Sequence, residues 1–102
     1  MTNPLLRGLR PIHPGEMLRE DILPAVGRPK TEIARLLGIS RQTLYDILNE
    51  KQPVTPAMAL RFAKMFGGSA ESWVHMQRNY DLKIAEAELG NSLAAIPYLD
   101  AA

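Results

Sequence analysis

The stretch Lys30-Thr-Glu-Ile-Ala-Arg-Leu-Leu-Gly-Ile-Ser-Arg-Gln-Thr-Leu-Tyr-Asp-Ile-Leu-Asn49 decides the fold. It reads as two short helices joined by a turn. The first starts at Pro29 or Lys30 and runs to Leu37, with Ile33, Ala34 and Leu37 at helical spacing. Gly38 follows, the residue type best able to take the left-handed conformation after a helix. Ser40 is a good N-cap for the second helix, Arg41 to about Asn49. Only Gly38-Ile39-Ser40 separates the two, and a short glycine-containing turn between two helices is the helix-turn-helix arrangement.

The second helix of such a pair must protrude while being gripped from behind. Its residues sort accordingly at about 100° per residue. Leu44, Ile47 and Leu48 share one arc, and Arg41, Gln42, Tyr45, Asp46 and Asn49 fill the opposite one. Arginine pairs with guanine, an amide with adenine and a carboxylate with the cytosine amino group, so this arc is equipped to read a major groove. Asp46 is compatible with a cytosine contact, with repulsion of wrong sequences and with plain solvation. Tyr45 suits the sugar-phosphate backbone more than a base.

Outward from this pair, helix punctuation recurs and strand alternation is nearly absent. A helix begins near Pro14, carries Met17, Leu18 and Ile22, and is expected to end at Pro24 with Gly27. Thr55-Pro56 opens a fourth helix with Met58, Ala59, Phe62, Ala63 and Phe66, which stops at Gly67-Gly68. Ser69 caps a fifth, with Trp73, Met76, Tyr80 and Ile84 near helical spacing and an end near Leu89. The expectation is an all-α, single-domain chain over residues 1–102, with five helices and a short C-terminal extension from about 90 to 102. Leu93, Ile96, Tyr98 and Leu99 in that extension must dock somewhere or fray.

Composition agrees with a small folded domain. The chain has 102 residues, 46% of them hydrophobic, and no cysteine, which excludes disulfides and thiolate chemistry. Around Pro4, Arg7, Arg10 and Pro11 no apolar stretch is long enough for a signal peptide or a membrane span, so a cytoplasmic protein is expected. Residues 1–80 hold eleven Lys or Arg against seven Asp or Glu, a balance of +4, and residues 81–102 hold one against four, a balance of −3. A basic body with an acidic tail suits phosphate binding.

Chemistry-bearing constellations are missing elsewhere. His13 and His75 are far apart with no partner ligands in view, and read as a residue at a helix start and a surface or interface residue. Glu86 and Glu88 are two apart on a helix and point differently. No Ser-His-Asp set, phosphate loop or zinc spacing is present. The expectation is therefore a protein that is not an enzyme and holds neither metal nor cofactor.

The segment from Ile33 to Ser40, followed by Leu44 and Ile47, resembles the helix-turn-helix of the phage-repressor (Cro/CI, XRE) superfamily. Pro11-Ile-His-Pro-Gly-Glu-Met-Leu18, Thr55-Pro-Ala-Met-Ala-Leu-Arg61, Ser69-Ala-Glu-Ser-Trp-Val-His-Met-Gln77 and Tyr80-Asp-Leu82 resemble the HigA antitoxins. That resemblance covers about residues 11–88. It implies a homodimer on palindromic operator DNA, repression of its own operon and neutralisation of a HigB/RelE-like toxin that cleaves messenger RNA. By the same resemblance Arg41 and Gln42 match the main base-reading positions, and Thr43, Tyr45 and Asp46 match secondary ones. Lys30, Thr31, Ser40, Asn49 and Lys51 match positions that meet phosphates. The chain departs from the pattern at Pro29, where relatives often have a serine cap, and at Glu50, where many have glycine. A carboxylate there is expected to be repelled by phosphates, which favours an alternative: an interaction module that has lost groove reading. A freestanding repressor without a toxin is the other alternative. For a dimer, Trp73 to Leu99 supplies spare apolar residues, which would serve equally for packing back on the core.

Overall fold

The computed structural model describes residues 10–100, so the expectations at Pro4 and Arg7 and the last two residues of the extension lie outside the described part. The described residues form helices without strands. Helix α1 is built in three consecutive pieces: Pro14–Met17, a π-helical turn Leu18–Ile22, and Leu23–Val26. Helices α2 (Lys30–Leu37) and α3 (Arg41–Leu48) make the helix-turn-helix, followed by α4 (Pro56–Phe66), α5 (Ala70–Leu89) and the short α6 (Asn91–Ala94).

One helix end differs from the sequence expectation. Pro24 does not end α1, which runs through it and stops at Gly27, in the left-handed region at φ 71°. The π turn supplies the reason. There the Leu23 N–H bonds the Leu18 carbonyl, one residue further back than in an α-helix. A widened turn is one of the few ways a helix accommodates a proline ring.

The core lies where α1, α2, α3 and α4 converge, with Leu18, Ile33, Leu44, Ile47 and Phe62 buried completely or nearly so. Helix α5 adds Trp73, whose ring packs 5.2 Å from that of Phe62. Helix α1 reaches α3 at a point of extreme closeness. A Cβ on Gly15 would overlap the carbonyl oxygen of Ile47, so no other residue fits there without moving one helix. From Leu82 onward α5 leaves the body, and Leu82, Leu89, Leu93, Ile96, Tyr98 and Leu99 are exposed. The C-terminal apolar residues thus do not pack back on this core.

His13 fixes the start of α1. Its Nδ1 accepts a hydrogen bond from the Gly15 N–H at 2.9 Å, and its ring meets the Tyr80 ring edge-on at 5.0 Å. The sequence reading of His13 as a residue at a helix start holds. Burial lowers its pKa from the ordinary 6.5, against the raising influence of Glu50, of Asp81 and of a hydrogen bond to the Gln52 backbone.

Two expectations follow. Gly15→Ala overpacks the α1–α3 contact and should cost at least about 1–3 kcal/mol, read from the denaturant midpoint. For His13, the folded chain resists the proton that the unfolded chain accepts. Its contribution is therefore full above pH 6.5 and is lost as the pH falls through 6.5 toward the lower folded-state value. His13→Asn, which can still cap, should flatten the fall of melting temperature between about pH 7 and 5. An unchanged slope would assign that pH dependence to other groups.

Candidate nucleic-acid interface

The turn between α2 and α3 closes by a recurrent hydrogen-bond pattern. Gly38 adopts φ 76°, its N–H bonds the Arg35 carbonyl at 3.1 Å, and the Ile39 N–H bonds the Ala34 carbonyl at 3.1 Å. Ser40 then caps α3, its Oγ accepting from the Thr43 N–H at 3.0 Å and pairing with the Thr43 hydroxyl at 2.8 Å. Leu44, Ile47 and Leu48 are buried, as the wheel requires, which turns the other arc outward. Arg41, Gln42, Tyr45 and Asn49 are exposed, and Thr43 and Asp46 are half-buried at its edges. Lys30, Thr31, Ser40 and Lys51 are exposed as well.

Within the arc, Gln42 Nε2 donates to Asp46 Oδ1 at 2.8 Å. The amide keeps its oxygen and one N–H for another partner, which is the pair that adenine requires. At the start of α2 no side chain caps the helix, because Pro29 occupies the cap position with φ −57°. Helix N-termini in this state attract anions.

The carbonyl ends of both helices are held by arginines that the sequence did not single out. Arg61 of α4 donates to the Leu37 carbonyl at 2.5 Å, and Arg19 of α1 donates to the Leu48 carbonyl at 2.6 Å. Cations at helix C-termini satisfy spare carbonyls and complement the helix dipole. Beyond α3, the loop is tied at Val54, whose N–H donates to Oε1 of the buried Gln77 at 2.8 Å. Gln77 in turn donates to Asp81 at 2.9 Å. Its place on the inner face of α5 was a signal of sorts, since an amide among apolar positions needs a partner.

Glu50 stands in the turn that closes α3. It is the one non-glycine residue in the left-handed region among those described, at φ 62°. Its N–H bonds the Ile47 carbonyl and the next N–H, of Lys51, bonds the Asp46 carbonyl at 2.8 Å, repeating the closing pattern of α2. Glycine would be at home here. The carboxylate is turned to Arg19, with Nη1 and Oε2 3.4 Å apart.

A family model described as Helix-turn-helix matches residues 18–73, which span the whole of α2, α3 and α4. Antitoxin HigA-1 of Vibrio cholerae is 30% identical over 73 residues, covering 72% of this chain and 69% of that protein. The chain belongs to the helix-turn-helix proteins of the HigA antitoxin type. Virulence-associated protein I of Dichelobacter nodosus is 41% identical over 86 residues, covering 84% of this chain and 80% of that protein. The solved structure of Pseudomonas aeruginosa antitoxin HigA with the higBA promoter matches with a TM-score of 0.83 at 36% identity, over 89% of this chain and 100% of the other. Antitoxin GraA in complex with its operator matches with the same score of 0.83 at 36% identity, over 90% and 94%. No helix among the described residues of this HigA-type chain is long and apolar enough to cross a membrane.

The two faces of α3 should separate in a melt. Arg41→Ala with Gln42→Ala alters only exposed side chains and should move stability by less than about 0.5 kcal/mol per site. Leu44→Ala, at a side chain with 0% exposure, should cost about 2–5 kcal/mol.

Proposed function

We propose that this HigA-type chain is a sequence-specific transcriptional repressor that reads operator DNA with α3. It serves as the antitoxin of a HigB/RelE-like, mRNA-cleaving toxin and represses the operon encoding both. The observation that carries the reading is the outward arc of α3, polar and hydrogen-bond-capable, on a helix buried along its other face and capped at both ends. Similar solved structures include two antitoxins described with promoter or operator DNA.

In this reading Arg41, Gln42, Thr43, Tyr45 and Asp46 face bases, while Lys30, Thr31, Ser40, Asn49 and Lys51 face phosphates. The uncapped start of α2 suits an anion beside Lys30 and Thr31. The chain, residues 1–102, acts as one domain and pairs with a second copy. The apolar residues exposed on the far half of α5 and beyond it, among them Leu82, Leu89 and Leu93, favour such pairing. One recognition helix offers few base contacts, and a two-fold dimer doubles them on a two-fold site. As a bacterial-type repressor it acts in the cytoplasm, without metal or cofactor.

Selection from a pool of randomised duplexes tests this. A two-fold symmetric consensus is expected, bound with a log–log salt slope of roughly −4 to −7. Each bidentate base contact discriminates by about 1–3 kcal/mol, so the folded Arg41→Ala, Gln42→Ala variant should lose preference for the consensus over scrambled DNA. That variant should still rescue growth when co-expressed with the toxin-like product of an adjoining gene. Failure to select any consensus, or full discrimination by the double variant, would remove α3 as the reader. Failure of rescue by the unaltered chain would leave a repressor without that toxin.

A further inference from the structure

The loop after α3 contains a conflict that the rest of the molecule resolves. Asn49 and Lys51, both exposed, are expected to lie along phosphates, yet Glu50 stands between them. The closing hydrogen bonds of Glu50 and Lys51 onto α3 fix this backbone, so the acidic residue cannot leave the loop by a shift of register. Its side chain is only 30% exposed, held between the loop and α1.

The residue that holds it is Arg19, one turn into α1. Its guanidinium makes three kinds of contact. Nη1 donates to the Leu48 carbonyl at 2.6 Å, Nη1 and Nη2 lie 3.4 and 3.5 Å from Glu50 Oε2, and Nε bonds Glu20 Oε1 at 2.9 Å. Glu20 is a neighbour on the same helix and is more exposed, at 55% of its side chain. The planar fork is what allows one cation to reach the end of α3 and the loop carboxylate together.

We propose that Arg19 is a positioning residue of the DNA interface, which draws the Glu50 carboxylate back toward α1 and keeps it from repelling the phosphate backbone. The inference rests on the reading that α3 enters the groove. Arg19 acts through Glu50, since its guanidinium is engaged with Leu48, Glu50 and Glu20. It would explain how a chain with an acid at this left-handed position keeps the loop compatible with DNA. A purely structural role, capping the Leu48 carbonyl, would make the two residues independent in DNA affinity.

The test is a double-mutant cycle on the full chain with the duplex selected from the randomised pool, at several salt concentrations, each protein checked by melting. The members are the unaltered chain, Arg19→Gln, Glu50→Gln and the two together. Glutamine in place of Glu50 removes the charge without relieving the left-handed backbone. With Arg19 present, Glu50→Gln should change affinity by less than about threefold, and with Arg19→Gln by roughly fivefold or more, the effect of a unit charge a few ångströms from a phosphate in water. Raising the salt should shrink that difference. Equal effects of Glu50→Gln in the two backgrounds would overturn the proposal. If Arg19→Gln does not fold, tightening of about threefold or more by Glu50→Gln alone would overturn it equally, and a change below threefold would support it. An unaltered chain that selects no duplex would overturn the DNA-reading function itself, and this inference with it.

Discussion

The contact between Gly15 and the Ile47 carbonyl is the constraint around which this molecule is arranged. Backbone touches backbone there, with no side chain between, so α1 and the end of α3 have a fixed separation and a narrow choice of crossing. Other grips on α3 start from that distance. His13, which caps α1 locally, meets Tyr80 of α5 from the same helix start. Arg19, one turn further on, is brought within reach of Leu48. A side chain on Gly15 would lift α1 away and lengthen the bond from Arg19 to the Leu48 carbonyl.

The helix-turn-helix is held by a division of labour between apolar and polar contacts. Leu44, Ile47 and Leu48 anchor α3 from behind, and non-directional burial of this sort fixes depth better than orientation. Orientation comes from directional bonds to backbone groups: Ser40 at one end of α3, Arg19 at the other, and Arg61 at the end of α2. Gln77, buried on α5, holds the trailing loop at Val54. Each satisfies a helix-end or loop group that would otherwise be costly to bury. A HigA-type domain of this size therefore presents α3 from a rigid frame, with the polar arc of that helix unencumbered by the packing.

Helix α5 connects that frame to a different surface. Its first half is core, through Trp73 and Gln77, while its second half and α6 expose Leu82, Leu89, Leu93 and Ile96. The split matches the charge division of the chain, whose basic part contains the helix-turn-helix and whose last 22 residues carry the excess of acid. The polar arc of α3 and the exposed apolar surface of α5 and α6 are thus far apart along the sequence.

The sequence by itself determined the helices, their caps and the outward arc of α3, because these rest on local physics: period, N-cap chemistry and the freedom of glycine. Gly38, Ser40, Thr55 and Ser69 each stand where their residue type predicts, and Leu44, Ile47 and Leu48 are buried as their spacing requires. What only the tertiary structure decided depends on partners far away in the chain. Pro24 sits inside a helix because a π turn precedes it, which no pattern of apolar residues announces. Arg19 and Arg61 look like ordinary surface cations until residues 29 and 24 positions away bring carbonyls to them. Glu50 reads as a liability in isolation, and its charge acquires a counterpart only because Gly15 lets α1 lie against the end of α3. Long-range pairing of charge with carbonyl and carboxylate has no periodicity, so it leaves no trace in one sequence and becomes visible only in the fold.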